Sequence, residues 1–393
     1  MLSKTRREDN IFPPLNAYYL ITRRKIMLDT IGMKVSLGEG TGEYNQVLVW
    51  KKIVEAIARM RNCDKIKVYS NLNNPLLKEK LEVGFRFSYP RSFKPNNAYL
   101  VKSKEECLKA NKIFVKNLSE SINSLDITSE EDVEILKCIK ENLKIFITRV
   151  DVAFTYIMPE THKFEEYLNM YKILGDTYKM KNPEGETVDF GWSKKKESIY
   201  FSDGKDLKSY NRKIIIYNQA EKIKSGKLSE GELELTYQQN SDLNRRMRIE
   251  VSKRIKRNPF TLKQFAEFDI YSAYVGAYAE YLMDTLLNPE DVERVKIQKL
   301  MALIDMIKGW RKCMSFTYQA FIAVNREYIY DWDILRQAIM DTSPNENTGY
   351  HGTSTAKKIL KEIEKTDGII YFDVFKTIED IRKMISKYCK GGK

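Results

Sequence analysis

A β-strand turns successive side chains to opposite faces of its sheet. Three short segments in the middle of this 393-residue chain keep that period well enough to dictate a sheet. They are Ile147–Phe154 (ITRVDVAF), Lys213–Asn218 (KIIIYN) and Arg246–Ser252 (RMRIEVS). Each predicts an apolar face and a polar face carrying one chemically useful residue: Asp151, Tyr217 and Glu250. Strict alternation from Lys144 to Tyr156 sets Phe146, Val150, Val152 and Phe154 on the packed face. It sets Ile145, Ile147, Arg149, Asp151 and Ala153 on the half-polar one.

The rest of the chain punctuates this core with helices and further strands. Lys25 to Leu37 reads as a first long strand, and Lys65–Ser70 and Val83–Tyr89 as shorter ones. Gln46 to Arg61 carries Val49, Ile53, Ala56, Ile57 and Met60 at helical spacing, with Asn45 as the expected N-cap. Ser103 with Glu106, and Thr128 with Glu131, have the spacing of capping boxes that open two helices. Ser198–Ser202 and Arg212–Asn218 predict a hairpin. After Arg257-Asn-Pro259 the pattern turns helical, with Asn288-Pro289 opening one helix. A short strand over Ile369–Phe375 and a last helix from about Thr377 to Lys387 follow, a string that a winged-helix-like module would give.

Composition narrows the function classes. Lys and Arg number 67 against 54 Asp and Glu, a net charge of +13. An excess of this size points to a polyanionic partner, because each cation placed on a phosphate releases counterions. The charge is clustered: Arg245, Arg246, Arg248, Lys253, Arg254, Lys256 and Arg257 lie close together, with Lys194, Lys195 and Lys196 upstream. The densest cluster overlaps a strand pattern, whereas a membrane-surface protein would carry it on an amphipathic helix. No apolar run reaches the roughly 18 residues of a membrane span, and Met1–Asn10 lacks the apolar stretch of a signal peptide. The five cysteines form no CxxC pair, which argues against a zinc module and a disulfide framework and predicts a cytoplasmic protein.

A sheet that gathers Asp151, Tyr217 and Glu250 would hold a nucleophile beside hard oxygen ligands. A tyrosine oxygen can attack a DNA phosphodiester and keep its bond energy in a phosphotyrosine link. A divalent cation, Mg²⁺ or Mn²⁺, would polarise the phosphate from carboxylate ligands supplied by Asp151 and Glu250, with Glu221 as a third. Each residue has a plainer reading. Tyr217 is one of 24 tyrosines, Asp151 can pair with Arg149 or Arg248, and Glu250 with Arg246 or Lys253.

The segments ITRVDVAF, SIYF at Ser198–Phe201, IIIYNQAE at Ile214–Glu221 and RIEVSKR at Arg248–Arg254 occur in an order that resembles rolling-circle replication initiators. The nearest are those of Gram-positive plasmid and filamentous-phage type, within the degenerate branches of the HUH-like endonuclease superfamily. Met27-Leu-Asp-Thr-Ile31 is similar to the opening strand of the phage-type proteins. The resemblance covers roughly residues 25–257. It implies an α+β fold: a ferredoxin-like, five-stranded antiparallel sheet with helices on one face. Tyr217 would be the nucleophile, and Asp151 and Glu250 the carboxylates of the metal or phosphate site. Two features depart from the pattern. The superfamily's paired metal-binding histidines are missing, since His162 and His351 stand alone and read as solvent-facing. The usual Lys after Tyr-Asn is Gln219, a loss that Arg212 or Lys213 would have to make good.

These readings divide the chain into a flexible basic arm (1–20), an HUH-like nicking and DNA-binding domain (21–258) and a helical C-terminal domain (259–393). The expected partner is origin DNA, as hairpin or duplex, contacted by Arg149, Arg212, Lys213 and the two basic clusters. A host helicase and a homodimer are further expectations, and no membrane is. A conjugative relaxase would share the chemistry. The missing histidine pair favours a non-enzymatic origin-binding initiator built from winged-helix modules, and the ordered Asp, Tyr and Glu strands favour the enzyme; a basic nucleic-acid scaffold would fit the charge but leave the strand motifs unexplained.

Overall fold

The structure is a computed structural model. It describes residues 27–36, 44–69, 82–94, 96–127, 129–160, 198–203, 210–226, 228–313, 315–325, 331–343, 357–363 and 373–389, with isolated positions and pairs over 162–192 and at 329. The basic arm, Lys194–Lys196, Thr128 and His351 lie outside these residues.

The fold is α+β, organised on one antiparallel sheet. In chain order its elements are β1 (Met27–Ser36), α1 (Tyr44–Arg59), β2 (Cys63–Tyr69), β3 (Glu82–Ser88), α2 (Lys104–Asn123), α3 (Glu130–Asn142) and β4 (Lys144–Ile157). Two-residue strands β5 (Met180–Lys181), β6 (Thr187–Val188) and β7 (Gly191–Trp192) precede β8 (Ser198–Ser202) and β9 (Arg212–Asn218). Next come α4 (Gln219–Lys224), α5 (Glu230–Gln239) and β10 (Arg246–Arg254). The main sheet runs β2-β3-β1-β4-β10-β9-β8-β7, eight strands where the resemblance implies five. β5 and β6 pair apart from it.

Helices dominate the rest: α6 (Leu262–Glu267), α7 (Ile270–Asp284), α8 (Pro289–Trp310), α9 (Tyr318–Val324), α10 (Trp332–Thr342) and α11 (Val374–Ser386), with a helical stretch over 357–363. The expected strand at Ile369–Phe375 fails at its described end, because Val374 and Phe375 already belong to α11. Val374, Ile378, Ile381 and Ile385 recur at helical spacing and are all buried, and that period overrides the β-propensity of the segment.

Caps fix most helix starts. Ser103 accepts from the Glu106 amide at α2, and Asn288 from the amides of Glu290 and Asp291 at α8. The α3 cap is Ser129, accepting from the Asp132 amide, one residue beyond the expected pair. α1 begins at Tyr44, so Asn45 lies inside the helix and is not its cap.

One sheet face packs under α1, α2, α6 and α7. Leu28, Ile31, Val150, Val152, Phe154, Ile249, Val251, Ile214 and Ile216 meet Trp50, Ile53, Phe114, Phe265 and Tyr278 in a single core. α11 joins this core through Ile378 and Ile381. A second core gathers Leu303 and Ile307 of α8 with Phe321, Leu335, Ile339 and Ile363.

Strict alternation fails at two places, and both matter. Gly32 pairs with Arg149 while Met33 pairs with Ile147, leaving Thr148 as an extra residue in β4. This bulge reverses the facing of what precedes it. Ile145 and Ile147 are buried in the core with Val150, Val152 and Phe154, whereas Phe146 is only half-buried. The expectation that Ile145 and Ile147 share a face with Asp151 is corrected accordingly. The second bulge lies in β1, where Leu28 pairs with Val152 and Thr30 with Asp151, leaving Asp29 unpaired between them.

Candidate functional site

Register assembles the polar face of the sheet across its centre. Arg248 of β10 lies opposite Tyr217 of β9, and Ser252 opposite Asp151 of β4. Glu250, between Arg248 and Ser252 on the same face, receives a hydrogen bond from Tyr217, Oη to Oε2 at 3.0 Å. The Arg248 guanidinium sits 5.7 Å from the centre of the Tyr217 ring, and its Nη2 is 3.2 Å from Asp29 Oδ2. Arg149 Nη2 holds Asp151 Oδ2 at 2.6 Å. Lys222 of α4 places its ammonium 5.8 Å from the Tyr217 ring centre.

Asp29 is the member of this cluster that the sequence pattern did not single out. Its segment, MLDTI, reads as an ordinary buried strand, and only the bulge carries the carboxylate to the polar face. Asp29 and Asp151 are 4 % and 2 % exposed, and each keeps one oxygen, Oδ1, without a hydrogen-bond partner among the described residues.

The cluster's electrostatics follow from burial. Burial pushes Asp29 up to about 6, with Arg248 opposing the rise and the neighbouring Glu250 carboxylate adding to it. Burial likewise pushes Asp151 up to about 7, against Arg149 and with help from Glu250 and Asp29. The Tyr217 hydroxyl is held well above its ordinary value, first by burial and then by Glu250 and Asp29, while Arg248 pulls it down. Burial acts to lower Arg248, yet Asp29, Tyr217 and Glu250 together keep its guanidinium firmly charged. Three carboxylates thus face two arginines, and the surplus negative charge is taken up by protons or by a cation.

A titration prediction follows. Asp29 and Asp151 are raised in the folded chain above the 3.8 of a free carboxyl, so the folded state holds protons that the unfolded chain has lost. Their contribution to stability is fullest below about pH 4 and is lost as pH rises towards 6 to 7. Urea midpoints measured across that window should fall less steeply for Asp151→Asn than for wild type. Equal slopes would mean that Asp151 ionises freely in the folded protein.

The structure brings Tyr217, Glu250 and Asp151 to one face but leaves Glu221 out. Glu221 sits on α4, 44 % exposed, with its carboxylate 2.8 Å from Lys224 Nζ. Carboxylate oxygens are the right donors for Mg²⁺ or Mn²⁺, and the free Oδ1 atoms of Asp29 and Asp151 are the atoms with capacity to spare. Among the described residues no group of three acidic, histidine or cysteine side chains is placed to hold a metal ion. His162 is half-buried against Tyr167, 2.8 Å from its hydroxyl, and is not the solvent-facing side chain expected.

The basic residues expected on DNA do not form one stripe. Arg246 is buried, with its guanidinium on both oxygens of Asp242 and on the carbonyl of Ala98. Arg248 is 0 % exposed. Both are structural cations, which corrects their assignment as DNA contacts. Arg212 and Lys253 face the helices, over the rings of Tyr281 and Tyr278. Lys213 and Arg254 face the other way, over the ring of Tyr210, whose hydroxyl lies 3.5 Å from Arg149. Arg257 stacks on Phe268 at 4.0 Å, and Arg245 pairs with Glu160 at 3.3 Å; Lys256 is exposed. The cause is the strand period itself, which sends neighbouring cations to opposite faces.

Removing Arg246 would strand Asp242, itself 5 % exposed. Arg246→Ala should therefore cost about 3–5 kcal/mol in urea unfolding. A cost under about 1 kcal/mol, the range of a surface pair, would refute the buried ion pair.

No family model matches this chain, and neither curated proteins nor solved structures similar to it were found.

Proposed function

We propose that this chain is a DNA strand-nicking enzyme, a replication initiator of plasmid or phage type that uses Tyr217 as its nucleophile. The observation that carries the reading is the Tyr217–Glu250 hydrogen bond at 3.0 Å, inside the reach of a general base. Glu250 takes the proton as the Tyr217 oxygen attacks the scissile phosphorus. The P–O3′ bond breaks, the 3′-oxygen leaves as a hydroxyl after gaining a proton, and the 5′-phosphate stays on Tyr217. One phosphodiester replaces another, so attack by the freed 3′-hydroxyl reseals the strand. Arg248, fixed by Asp29 beneath the ring, offsets charge developing on the tyrosine oxygen. Mg²⁺ or Mn²⁺, held through Asp29 and Asp151, would polarise the phosphate.

Support also comes from the first half of the fold. The string β1-α1-β2-β3-α2-α3-β4 with strand order β2-β3-β1-β4 is the order of a ferredoxin-like unit, the fold that the resemblance implies. The net charge of +13 suits origin DNA as the partner. The helices of the second core are the segment assigned to winged-helix-like duplex contacts, to a host helicase or to a homodimer. The reading places the protein in the cytoplasm, where its described cysteines stay as free thiols.

A second reading, a non-enzymatic origin binder, is favoured by one observation: Tyr217 is 7 % exposed and its hydroxyl resists ionisation. The separating experiment is a denaturing gel for covalent adducts. It uses supercoiled DNA of the replicon that encodes the chain, with Mg²⁺, Mn²⁺ or EDTA. A metal-dependent adduct establishes the nickase. Tight binding without nick or adduct in any metal establishes the binder.

A further inference from the structure

The polar face of the sheet carries a second group of cations that neither the motifs nor the basic runs in the sequence revealed. Gly32 of β1 pairs with Arg86 of β3 on one side and Arg149 of β4 on the other. These registers set both arginines on the same face, flanking a residue with no side chain. The space over Gly32 is already filled: the glycine is buried, and a Cβ on it would lie 2.9 Å from Thr148 Oγ1 and 3.0 Å from Arg149 Cβ. Arg86 also pairs with Asp64, so Lys65, the next residue of β2, lies beside it. Lys65 has a φ of 52°, a left-handed backbone unusual for a lysine, at an irregularity between Asp64 and Lys67. Such strain is tolerated where it re-aims a side chain. Lys222, beside the Tyr217 ring, stands at the other end of the group.

These cations act on one another. Withdrawal from water lowers the Lys65 ammonium, and Arg86, Arg149 and Lys222 lower it further, with Asp64 alone opposing. Asp64 is itself engaged by Arg91 at 2.9 Å. Arg149 is committed to Asp151, but among the described residues no carboxylate lies within ion-pair distance of Lys65, Arg86 or Lys222. Like charges held together without counter-charges are unfavourable alone and become favourable when an anion spans them.

We infer that Lys222, Arg86 and Lys65, of which Lys65 and Lys222 are exposed and Arg86 half-buried, form a phosphate track that carries the backbone of a single DNA strand away from Tyr217. The inference rests on the nicking reading and supplies what it lacks at Gln219: a cation beside the nucleophile, delivered from Lys222 on α4.

The test is anisotropy of a fluorescein-labelled oligothymidine bound to the full chain over a series of sodium chloride concentrations. Each phosphate contact contributes about 0.7 to the slope of log K against log salt for a single strand. K65Q, R86Q and K222Q should each flatten the slope by about that amount, and the triple variant by about 2. K116Q and K137Q, on exposed positions of α2 and α3 over the other face, are the charge-matched controls and should leave it unchanged. A wild-type slope in the triple variant, or equal flattening in the controls, overturns the track. The nicking reading fails separately. Wild-type protein that forms no adduct in any metal, while K65Q, R86Q and K222Q still flatten the slope, removes the nickase and keeps the track. Adducts at Tyr217 with an unchanged slope do the reverse.

Discussion

Replacing Tyr217 with phenylalanine should abolish the covalent protein–DNA adduct and lower strand cleavage by about three orders of magnitude or more, the scale on which loss of a nucleophile acts. The substitution removes one oxygen and leaves the ring in place against Arg248. Its cost to folding is about 1 kcal/mol, the worth of one hydrogen bond, because Glu250 is half-buried and water can replace the lost donor. Cleavage and stability are therefore separable in this variant. Glu250→Gln sharpens the assignment: it keeps shape and removes the proton acceptor, so it should slow adduct formation by about 10²–10⁴-fold, most strongly near neutral pH. Adduct formation at wild-type rate in Tyr217→Phe would show that a side chain other than Tyr217 attacks.

Arg248→Met should destabilise the fold by about 3–5 kcal/mol at neutral pH, the cost of leaving a buried charge without its partner. Arg248 is 0 % exposed and ties β10 to β1 across β4 through Asp29, while its guanidinium lies against Tyr217. Without it, Asp29 faces Glu250 with nothing to lower its affinity for a proton. The loss should therefore shrink as pH falls and Asp29 is neutralised. Removing both charges in Asp29→Leu/Arg248→Met should recover much of the stability, since a buried pair replaced by apolar groups is often neutral or better. Urea unfolding of the two variants at pH 5 and pH 8 checks all three statements. A single variant that unfolds within about 1 kcal/mol of wild type would show that Arg248 contributes no more than a surface pair.

Much of the site was legible because strand period is a strong constraint. Tyr217 precedes the Asn218 cap of α4, and the apolar run Ile214–Ile216 commits its strand to the sheet. Arg248 and Glu250 share a face because they are two apart. The basic runs were less informative. Arg246 and Arg248 looked like surface cations, and only the surrounding Asp242, Ala98 carbonyl and Asp29 reveal them as buried ones.

By itself the sequence determined an α+β chain, the positions of the central strands and, between bulges, which residues of a strand share a face. Those properties are local, set by side-chain period and capping over a few residues. The tertiary structure alone decided that Asp29 joins the site, that Ile145 and Ile147 turn inward, that Lys65 lies beside Arg86, and that Lys222 stands beside Tyr217. Each depends on a bulge or on pairing between strands far apart in the chain. One extra residue in a ladder reverses every facing beyond it, and no pattern within a single segment encodes where its partner inserts that residue.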